Sequence, residues 1–203
     1  MSSDHYFTAD PGSDFTPREV TVHLAGEDRQ LVTAGGVFSP EHLDVGTATL
    51  LRFAPEPPEH GNVLDLGCGW GAIALEAALE SPEATVWALD INERARELTR
   101  RNAQKLGLTN LRVVDAAEIP AEVRFASIRS NPPIRVGKEA LHELLEAWLP
   151  RLAPGGVAHL VVAKHLGAES LQRWIGERFA PELTVSRLVN HKGFRILEVL
   201  SAD

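Results

Sequence analysis

The sequence contains almost no cysteine and no long apolar run. Cys68 is the single cysteine among 203 residues, so no internal disulfide can form, and no second cysteine or spaced histidine cluster completes a zinc site. No stretch reaches the roughly 18 apolar residues of a spanning helix, and the start MSSDHYFTAD lacks the basic and apolar regions of a signal peptide. We therefore expect a protein of the reducing cytoplasm that binds neither a metal nor a membrane.

Positive charge is also scarce. The formal net charge is −8, which disfavours broad binding of nucleic-acid phosphates. The charge is unevenly spread, because residues 1–120 carry a net −10 and residues 121–203 a net +2, so a basic face in the C-terminal half stays open. The hydrophobic share of 44% is enough to fill one core at this length, and we predict a single domain over residues 1–203.

The order of apolar runs predicts an α/β fold. Residues 18–34 alternate twice around Ala25-Gly26, as in a β-hairpin, and Asp44 precedes a short helix. After three prolines, strand-like and helical runs alternate, which requires a parallel sheet with crossover helices. Two consecutive strands then form an antiparallel hairpin at the end of the sheet. The predicted strands of the sheet cover 63–66, 85–89, 111–114, 125–128, 156–162, 183–189 and 194–200, and the helices 72–80, 93–106, 139–152 and 168–178. We expect residues 1–58 to form a hairpin and a lid-like extension, and residues 59–203 a catalytic core.

A glycine-rich loop is the strongest local signal. In VLDLGCGWGAIAL, residues 63–75, three glycines stand between a strand and a helix and let the backbone approach a ligand closely. The spacing also fits a dinucleotide fingerprint, so an NAD oxidoreductase is an alternative. Asp65, two residues before the first glycine, would repel a pyrophosphate and favours a cationic ligand. S-adenosylmethionine has an ammonium, a sulfonium and no phosphate, and is the cofactor we predict.

Acidic residues end the next two strands. Asp90 can accept from both ribose hydroxyls, and Asp115 from the adenine amino group. Ligands of open α/β sheets bind at the carboxyl ends of the strands, so three such acids point to one site. The alternative for each is a helix N-cap or a solvated loop carboxylate. The candidate cofactor-binding residues are Asp65, Gly67, Cys68, Gly69, Gly71, Asp90, Ile91, Asp115, Ala116 and Asn131.

An Asn-Pro-Pro segment follows the fourth strand of the predicted sheet. Its two prolines lack N–H donors and fix φ, so we expect a rigid loop with carbonyls free to accept. Together with the side-chain carbonyl of Asn131 they can accept both hydrogens of an exocyclic amine and direct its lone pair toward a methyl group. A simple turn is the alternative. The candidate catalytic residues are Asn131, Pro132, Pro133 and Ile134.

The chain resembles the class I S-adenosylmethionine-dependent methyltransferases that methylate amines, because it carries the motifs DLGCGWG, ALDIN and SNPPI in this order. More narrowly, the chain resembles the small-domain family of ribosomal RNA guanine-N2 methyltransferases (RsmC-like). The narrower resemblance rests on HYF at 5–7, GVFS at 36–39, LDVGT at 43–47, NPPIRVGK at 131–138 and HKGFRIL at 191–197.

The resemblance implies a seven-stranded, mostly parallel Rossmann-like sheet with an antiparallel last strand. It also implies methyl transfer to guanine N2, with Asn131 and Pro132 recognising the amine. Relatives that act on adenine or on protein glutamine carry an aromatic residue after Asn-Pro-Pro, and Ile134 here favours the guanine type.

Residues that bind the substrate are expected mainly in the C-terminal half. Basic side chains near the Asn-Pro-Pro segment are candidates for RNA phosphates, and solvated surface charge is the alternative for each. Phe38 is a candidate cover for the cofactor or for a flipped base. The candidate substrate-binding residues are Phe38, Arg135, Lys138, Lys164 and Lys192. The expected partner is ribosomal RNA or a ribosomal subunit. The alternatives are methylation of protein glutamine or of a small-molecule amine, and a noncatalytic cofactor-binding module.

Overall fold

The computed structural model describes residues 15–202, so the HYF segment at 5–7 lies outside the described residues. Among the helices of this range, none has the length and apolar character needed to cross a membrane. The strands are β1 (Pro17–Leu24), β2 (Glu27–Ala34), β3 (Asn62–Leu66), β4 (Thr85–Leu89), β5 (Leu111–Val114), β6 (Phe125–Ser130), β7 (Leu152–Ala163), β8 (Leu183–His191) and β9 (Phe194–Ser201). The α-helices are α1 (Val45–Phe53), α2 (Ala72–Glu80), α3 (Glu93–Lys105), α4 (Lys138–Trp148) and α5 (Ala168–Phe179).

The main sheet has seven strands in the order β5-β4-β3-β6-β7-β9-β8. The pairs formed by β3 with β4, β3 with β6, β4 with β5 and β6 with β7 are parallel, and β9 lies antiparallel between β7 and β8. This arrangement confirms the predicted sheet and its antiparallel last strand. The strand order reverses between β3 and β6, which places the ends of these two strands at the switch point where ligands bind in such sheets.

Helices cover both faces of the sheet. Leu64 and Leu66 of β3 pack in one cluster with apolar residues of α4 and α5, whereas Val63 packs with α2 on the opposite face. Seven of the nine residues of α2 are buried, because α1, α3 and the sheet surround it. A helix enclosed in this way needs mostly apolar residues, and the sequence AIALEAALE supplies them at every position except Glu76 and Glu80, of which Glu76 is buried as well.

The N-terminal hairpin forms a separate two-stranded sheet that packs on the helices. Ala25 and Gly26 both have positive φ, as a two-residue type I′ turn requires. Val22, Leu24 and Leu31 share a buried cluster with residues of α2 and α3. The hairpin therefore contributes to the same apolar layer that supports the glycine-rich loop.

The structure corrects the predicted boundary between α4 and β7. A helix to 152 was expected, but α4 ends at Trp148 and a 3-10 turn over Leu149–Arg151 follows, because Pro150 has no N–H to continue the helix. β7 starts at Leu152 rather than at 156, and its register with β6 shifts near Phe125. β6 extends two residues beyond the predicted end, to Ser130, so Asn131 follows directly on a strand.

Candidate active site

The glycine-rich loop joins β3 to α2 at the switch point. Gly67, Gly69 and Gly71 all have positive φ, which other residues rarely adopt. At Gly67 and Gly69 a Cβ atom would meet nothing within 4 Å, so the loop faces open space there. At Gly71 a Cβ atom would lie 2.9 Å from Cγ2 of Thr99, so this glycine also permits close packing of the loop on α3.

Asp90 follows β4 and fixes the shape of the loop. Its two carboxylate oxygens accept from the backbone N–H groups of Gly69 and Asn92, each at 2.9 Å. Burial raises the pKa of Asp90 against the lowering effect of these hydrogen bonds. A carboxylate has about four acceptor positions, so the group can still accept from a diol. Ile91, the next residue, is 64% exposed and offers an apolar surface beside it.

Asp65 lies beneath the loop and is 1% exposed. One oxygen accepts from the backbone N–H of Ala74 at 2.9 Å, so Asp65 serves the N-terminus of α2, whose N-cap residue Gly71 has no side chain to do so. The other oxygen, Oδ1, is buried and has no hydrogen-bond partner among the described residues. Burial raises the pKa of Asp65 to about 8, and the neighbouring Arg129 only partly offsets this.

Asp115 follows β5 and caps a 3-10 turn. Its carboxylate accepts from the N–H of Ala117 at 2.9 Å, and Glu118 accepts from the N–H of Asp115 at 2.8 Å, which completes a capping box. Asp115 is therefore an N-cap residue, as the alternative interpretation of this acid proposed. The adjacent Ala116 is exposed in the same turn.

Three side chains bind the segment at 35–47, one from the glycine-rich loop and two from the start of α3. The amide of Asn92 donates to the carbonyl of Gly36 at 2.9 Å, and Arg94 donates to the carbonyl of Gly35 at 2.8 Å. The indole of Trp70 donates to the carbonyl of Ser39 at 3.2 Å. These bonds hold the segment against the glycine-rich loop and the N-terminus of α3.

A small cleft lies between this segment and the loop. Its walls include the backbone of Gly67 and Gly69, the side chains of Phe38 and Asp44, and Asn131 after β6. Phe38 is 41% exposed, so its ring is available at the cleft. Cys68 also lines the cleft, but its buried thiol lies 3.6 Å from the Thr99 hydroxyl and its pKa is raised, mainly by burial, so it is not poised as a nucleophile.

Asn131 is held at the cleft by its side-chain nitrogen. Nδ2 donates to Oδ2 of Asp44 at 2.8 Å and to Oγ1 of Thr47 at 3.0 Å, while Oδ1 accepts no hydrogen bond from the described residues. The adjacent Ser130 donates to the carbonyl of Leu66 at 2.6 Å, which ties the end of β6 to the end of β3. Asn131 and the glycine-rich loop are therefore held in one rigid frame.

The expectation that the proline carbonyls are free is corrected. The carbonyl of Pro132 accepts from the N–H of Ile134 at 2.8 Å, and that of Pro133 accepts from the N–H of Val136 at 3.1 Å. Each oxygen still has a second lone pair for an incoming donor. Ile134 is half-buried and packs on the α4 and α5 side of the core.

The described basic candidates lie in two regions of the C-terminal half. The N–H of Lys164 donates to the carbonyl of Gly193 at 2.8 Å, which sets Lys164 beside the turn that carries Lys192. Both lysines are exposed, as is Lys138 at the start of α4. The side chain of Arg135 lies outside the described part of the chain. The described residues contain no cluster of three or more histidine, cysteine, aspartate or glutamate side chains that fits a metal ion.

Comparison with known protein families identifies the family and its cofactor. A model of the methyltransferase small domain matches residues 28–198. The chain belongs to this family. The membership confirms the predicted resemblance to RsmC-like class I methyltransferases, for which S-adenosylmethionine is the cofactor.

Two similar proteins align with this methyltransferase over most of its length. It is 33% identical over 199 residues to the uncharacterized protein YbxB of Bacillus subtilis, and the match covers 97% of this chain and 98% of YbxB. It is 32% identical over 197 residues to the ribosomal RNA small subunit methyltransferase C of Stutzerimonas stutzeri, over 93% of this chain and 56% of the relative. The chain thus spans about half the length of that curated enzyme.

A solved structure has the same fold. The T. thermophilus 16S rRNA N2 G1207 methyltransferase (RsmC), in complex with AdoMet and guanosine, superposes with a TM-score of 0.76 and 23% identity. The superposition covers 96% of this chain and 53% of that one.

The observed site is suited to S-adenosylmethionine. A buried carboxylate oxygen on Asp65 has no hydrogen-bond partner among the described residues, the backbone at Gly67 and Gly69 borders open space, and Asp90 keeps acceptor capacity. These features match an ammonium, a chain that lies against the backbone, and a ribose diol.

The contacts of Asn131 with Asp44 and Thr47 were not predicted from the sequence, because the Asp-x-x-Thr spacing is typical of an ordinary helix N-cap.

Proposed function

We propose that this methyltransferase transfers a methyl group from S-adenosylmethionine to guanine N2 in ribosomal RNA. The observation that carries the proposal is the orientation of Asn131, whose nitrogen is engaged and whose Oδ1 is left to accept in a cleft walled by the glycine-rich loop. An acceptor at this place suits an exocyclic amine, which has two hydrogens to donate.

The proposed chemistry depends on orientation. The bound cofactor supplies an electrophilic methyl group on a sulfonium. Oδ1 of Asn131 accepts one hydrogen of the amine, and the carbonyl of Pro132 accepts the second through its free lone pair. With both hydrogens held, the nitrogen lone pair points toward the methyl carbon, an N–C bond forms as the S–C bond breaks, and the nitrogen then releases a proton. No strong base is needed, because the nitrogen becomes acidic only after attack.

We propose the same residues for cofactor recognition as the sequence suggested. Asp65 pairs with the ammonium, Gly67, Cys68, Gly69 and Gly71 form the backbone cradle, and Asp90 accepts from the ribose. Ile91, Asp115 and Ala116 lie at the adenine. We also propose that the described part of the predicted 1–58 segment, from residue 15 onward, is a hairpin and lid-like extension of a single methyltransferase domain.

Ribosomal RNA, free or within a subunit, is the proposed substrate, and the cytoplasm the proposed location. Two relatives support the choice of substrate by their names, one a small subunit and one a large subunit ribosomal RNA methyltransferase. We propose that Phe38 stacks on the acceptor base, and that Lys138, Lys164, Lys192 and Arg135 bind phosphates.

The test of this function offers methyl-labelled S-adenosylmethionine with unmodified ribosomal RNA, ribosomal subunits and a ribosomal protein fraction in separate reactions. We expect label in RNA or in a subunit, and its loss in Asn131→Ala while cofactor binding stays intact by calorimetry. Label in protein alone would establish a protein acceptor instead. No label in any fraction, with the cofactor bound, would favour a small-molecule acceptor or a noncatalytic module.

The basic residues have their own test. Lys164→Glu and Lys192→Glu should raise KM for RNA and weaken the salt dependence of binding, because each contact releases counterions. Arg124→Glu is the matched control, since Arg124 is exposed just before β6, at the end of that strand opposite Asn131. An equal effect of all three reversals would show a general charge effect and would remove the proposed contacts.

A further inference from the structure

We propose that Asp44 and Thr47 are positioning residues that fix which atom of the Asn131 amide faces the acceptor. The inference rests on the proposed function and names two residues outside the Asn-Pro-Pro segment that the reaction needs. Both residues lie at the N-terminus of α1, and Thr47 and Asp44 precede Asn131 by 84 and 87 residues along the chain.

The chemistry of the partners determines the orientation of the amide. An ionised carboxylate only accepts hydrogen bonds, so Asp44, 2.8 Å from the Asn131 side chain, must meet its NH₂ group rather than its carbonyl. Thr47 Oγ1 accepts the second hydrogen at 3.0 Å. Both N–H groups of Asn131 are engaged in this orientation. A 180° rotation of the amide would place Oδ1 against the Asp44 carboxylate, and the two oxygen atoms would repel each other. Oδ1 is therefore kept as the acceptor at the cleft.

The position of Asp44 is itself fixed. Its Oδ2, the same oxygen that faces Asn131, accepts from the backbone N–H of Thr47 at 3.0 Å as the N-cap of α1. Thr47 is buried, so its hydroxyl has little freedom to turn to water. The helix cap and the amide clamp are thus one hydrogen-bonded unit.

Packing around Gly46 keeps this unit close to β9. A Cβ atom at Gly46 would lie 2.8 Å from Oδ2 of Asp44 and 2.8 Å from the ring of Phe194. Any larger residue would push the cap away from the end of the sheet. The turn of α1 can therefore reach Asn131 because a glycine stands between the two residues that bind the amide.

The test separates the hydroxyl from the shape of residue 47. Thr47→Val removes Oγ1 at nearly constant volume, and Thr47→Ser retains it. We expect Thr47→Val to lower kcat about ten-fold, the effect of one lost hydrogen bond, with a much smaller change in KM for the cofactor. Thr47→Ser should recover most of that rate. Asp44→Ser, which keeps a capping oxygen too short to reach Asn131, should act like Thr47→Val.

A double-mutant cycle gives the outcome that a merely structural role would not produce. In an Asn131→Ser background, which keeps a hydroxyl oxygen as a weaker acceptor and therefore a residual rate, Thr47→Val should change kcat less than about two-fold, because the amide it positions is gone. Loss of the same factor in both backgrounds would overturn the proposal. Equal rates for Thr47→Val and Thr47→Ser would overturn it as well.

A measurement without substrate distinguishes failure of this inference from failure of the proposed function. The side-chain amide protons of Asn131, assigned in ¹⁵N spectra by their loss in Asn131→Ala, should exchange slowly with water in the native protein and faster in Thr47→Val. If the native protein methylates no acceptor, faster exchange would still support the positioning role. Unchanged exchange would refute it whatever the substrate.

Discussion

Asp65→Asn tests whether the buried carboxylate binds the ammonium of the cofactor. Burial raises the pKa of Asp65 to about 8, so in the free protein only about a tenth of the molecules carry the carboxylate at pH 7 and about a hundredth at pH 6. An ammonium requires the ionised form. Binding therefore releases a proton from Asp65, and the apparent Kd should weaken about ten-fold from pH 7 to pH 6.

Calorimetry between pH 6 and 7.5 measures this slope. The range stays below the roughly 7.7–8.0 at which an α-amino group itself loses its proton. Methylthioadenosine, which lacks the amino-acid part of the cofactor, is the matched control and should bind with no such slope. The slope should also vanish in Asp65→Asn. A Kd for S-adenosylmethionine that is constant over this range, or a slope that persists in Asp65→Asn, would refute the pairing.

Three further predictions follow from burial, packing and exposure. Burial raises the pKa of Glu76 to about 7 above its ordinary 4.5, so the folded state holds a proton that the unfolded state has lost and stability falls as the pH rises between these values. In urea unfolding, Glu76→Gln should be more stable than the native protein by on the order of 2 kcal/mol at pH 8 and little changed at pH 4.5. The control Glu59→Gln, at an exposed position, should show no such pH dependence. A stability difference for Glu76→Gln that is the same at both pH values would contradict the argument. Gly71→Ala and Gly167→Ala both force an alanine to a φ near +100° at a helix N-cap, but only residue 71 meets Thr99. Gly71→Ala should therefore cost about 1–3 kcal/mol more in unfolding free energy, and equal costs would remove the packing explanation. Phe38→Leu should raise KM for RNA about ten-fold by loss of base stacking without changing the Kd of the cofactor, and an unchanged KM would exclude the stacking role.

The sheet was predictable because its signals are local. Whether a short apolar run forms a strand, as in β3 and β4, is indicated by residues next to each other in the sequence. The same holds for the two hairpin turns at Ala25-Gly26 and Lys192-Gly193, whose residues all have positive φ in the structure. The end of α4 was predicted four residues late, since the periodicity of its apolar residues continues past Pro150 although the backbone hydrogen bonding cannot.

The site was predictable in composition but not in its contacts. Asp65, the three glycines and Asp90 stand beside the strand ends that place them, so their vicinity to each other follows from the topology. The clamp on Asn131 joins residues 84 and 87 positions apart, and the Trp70 bond to Ser39 joins residues 31 apart. Such pairs depend on how α1 and the 36–47 segment pack over the sheet, which no local pattern specifies.

Nucleoside mass spectrometry of ribosomal RNA, after reaction with this methyltransferase and labelled S-adenosylmethionine, tests guanine N2 as the acceptor and the role of Asn131 together. We expect labelled N2-methylguanosine with the native protein and none when Asn131→Ala replaces it. Label in a different nucleoside would contradict the assignment of guanine N2, and label that survives in Asn131→Ala would contradict the role of the Asn131 amide.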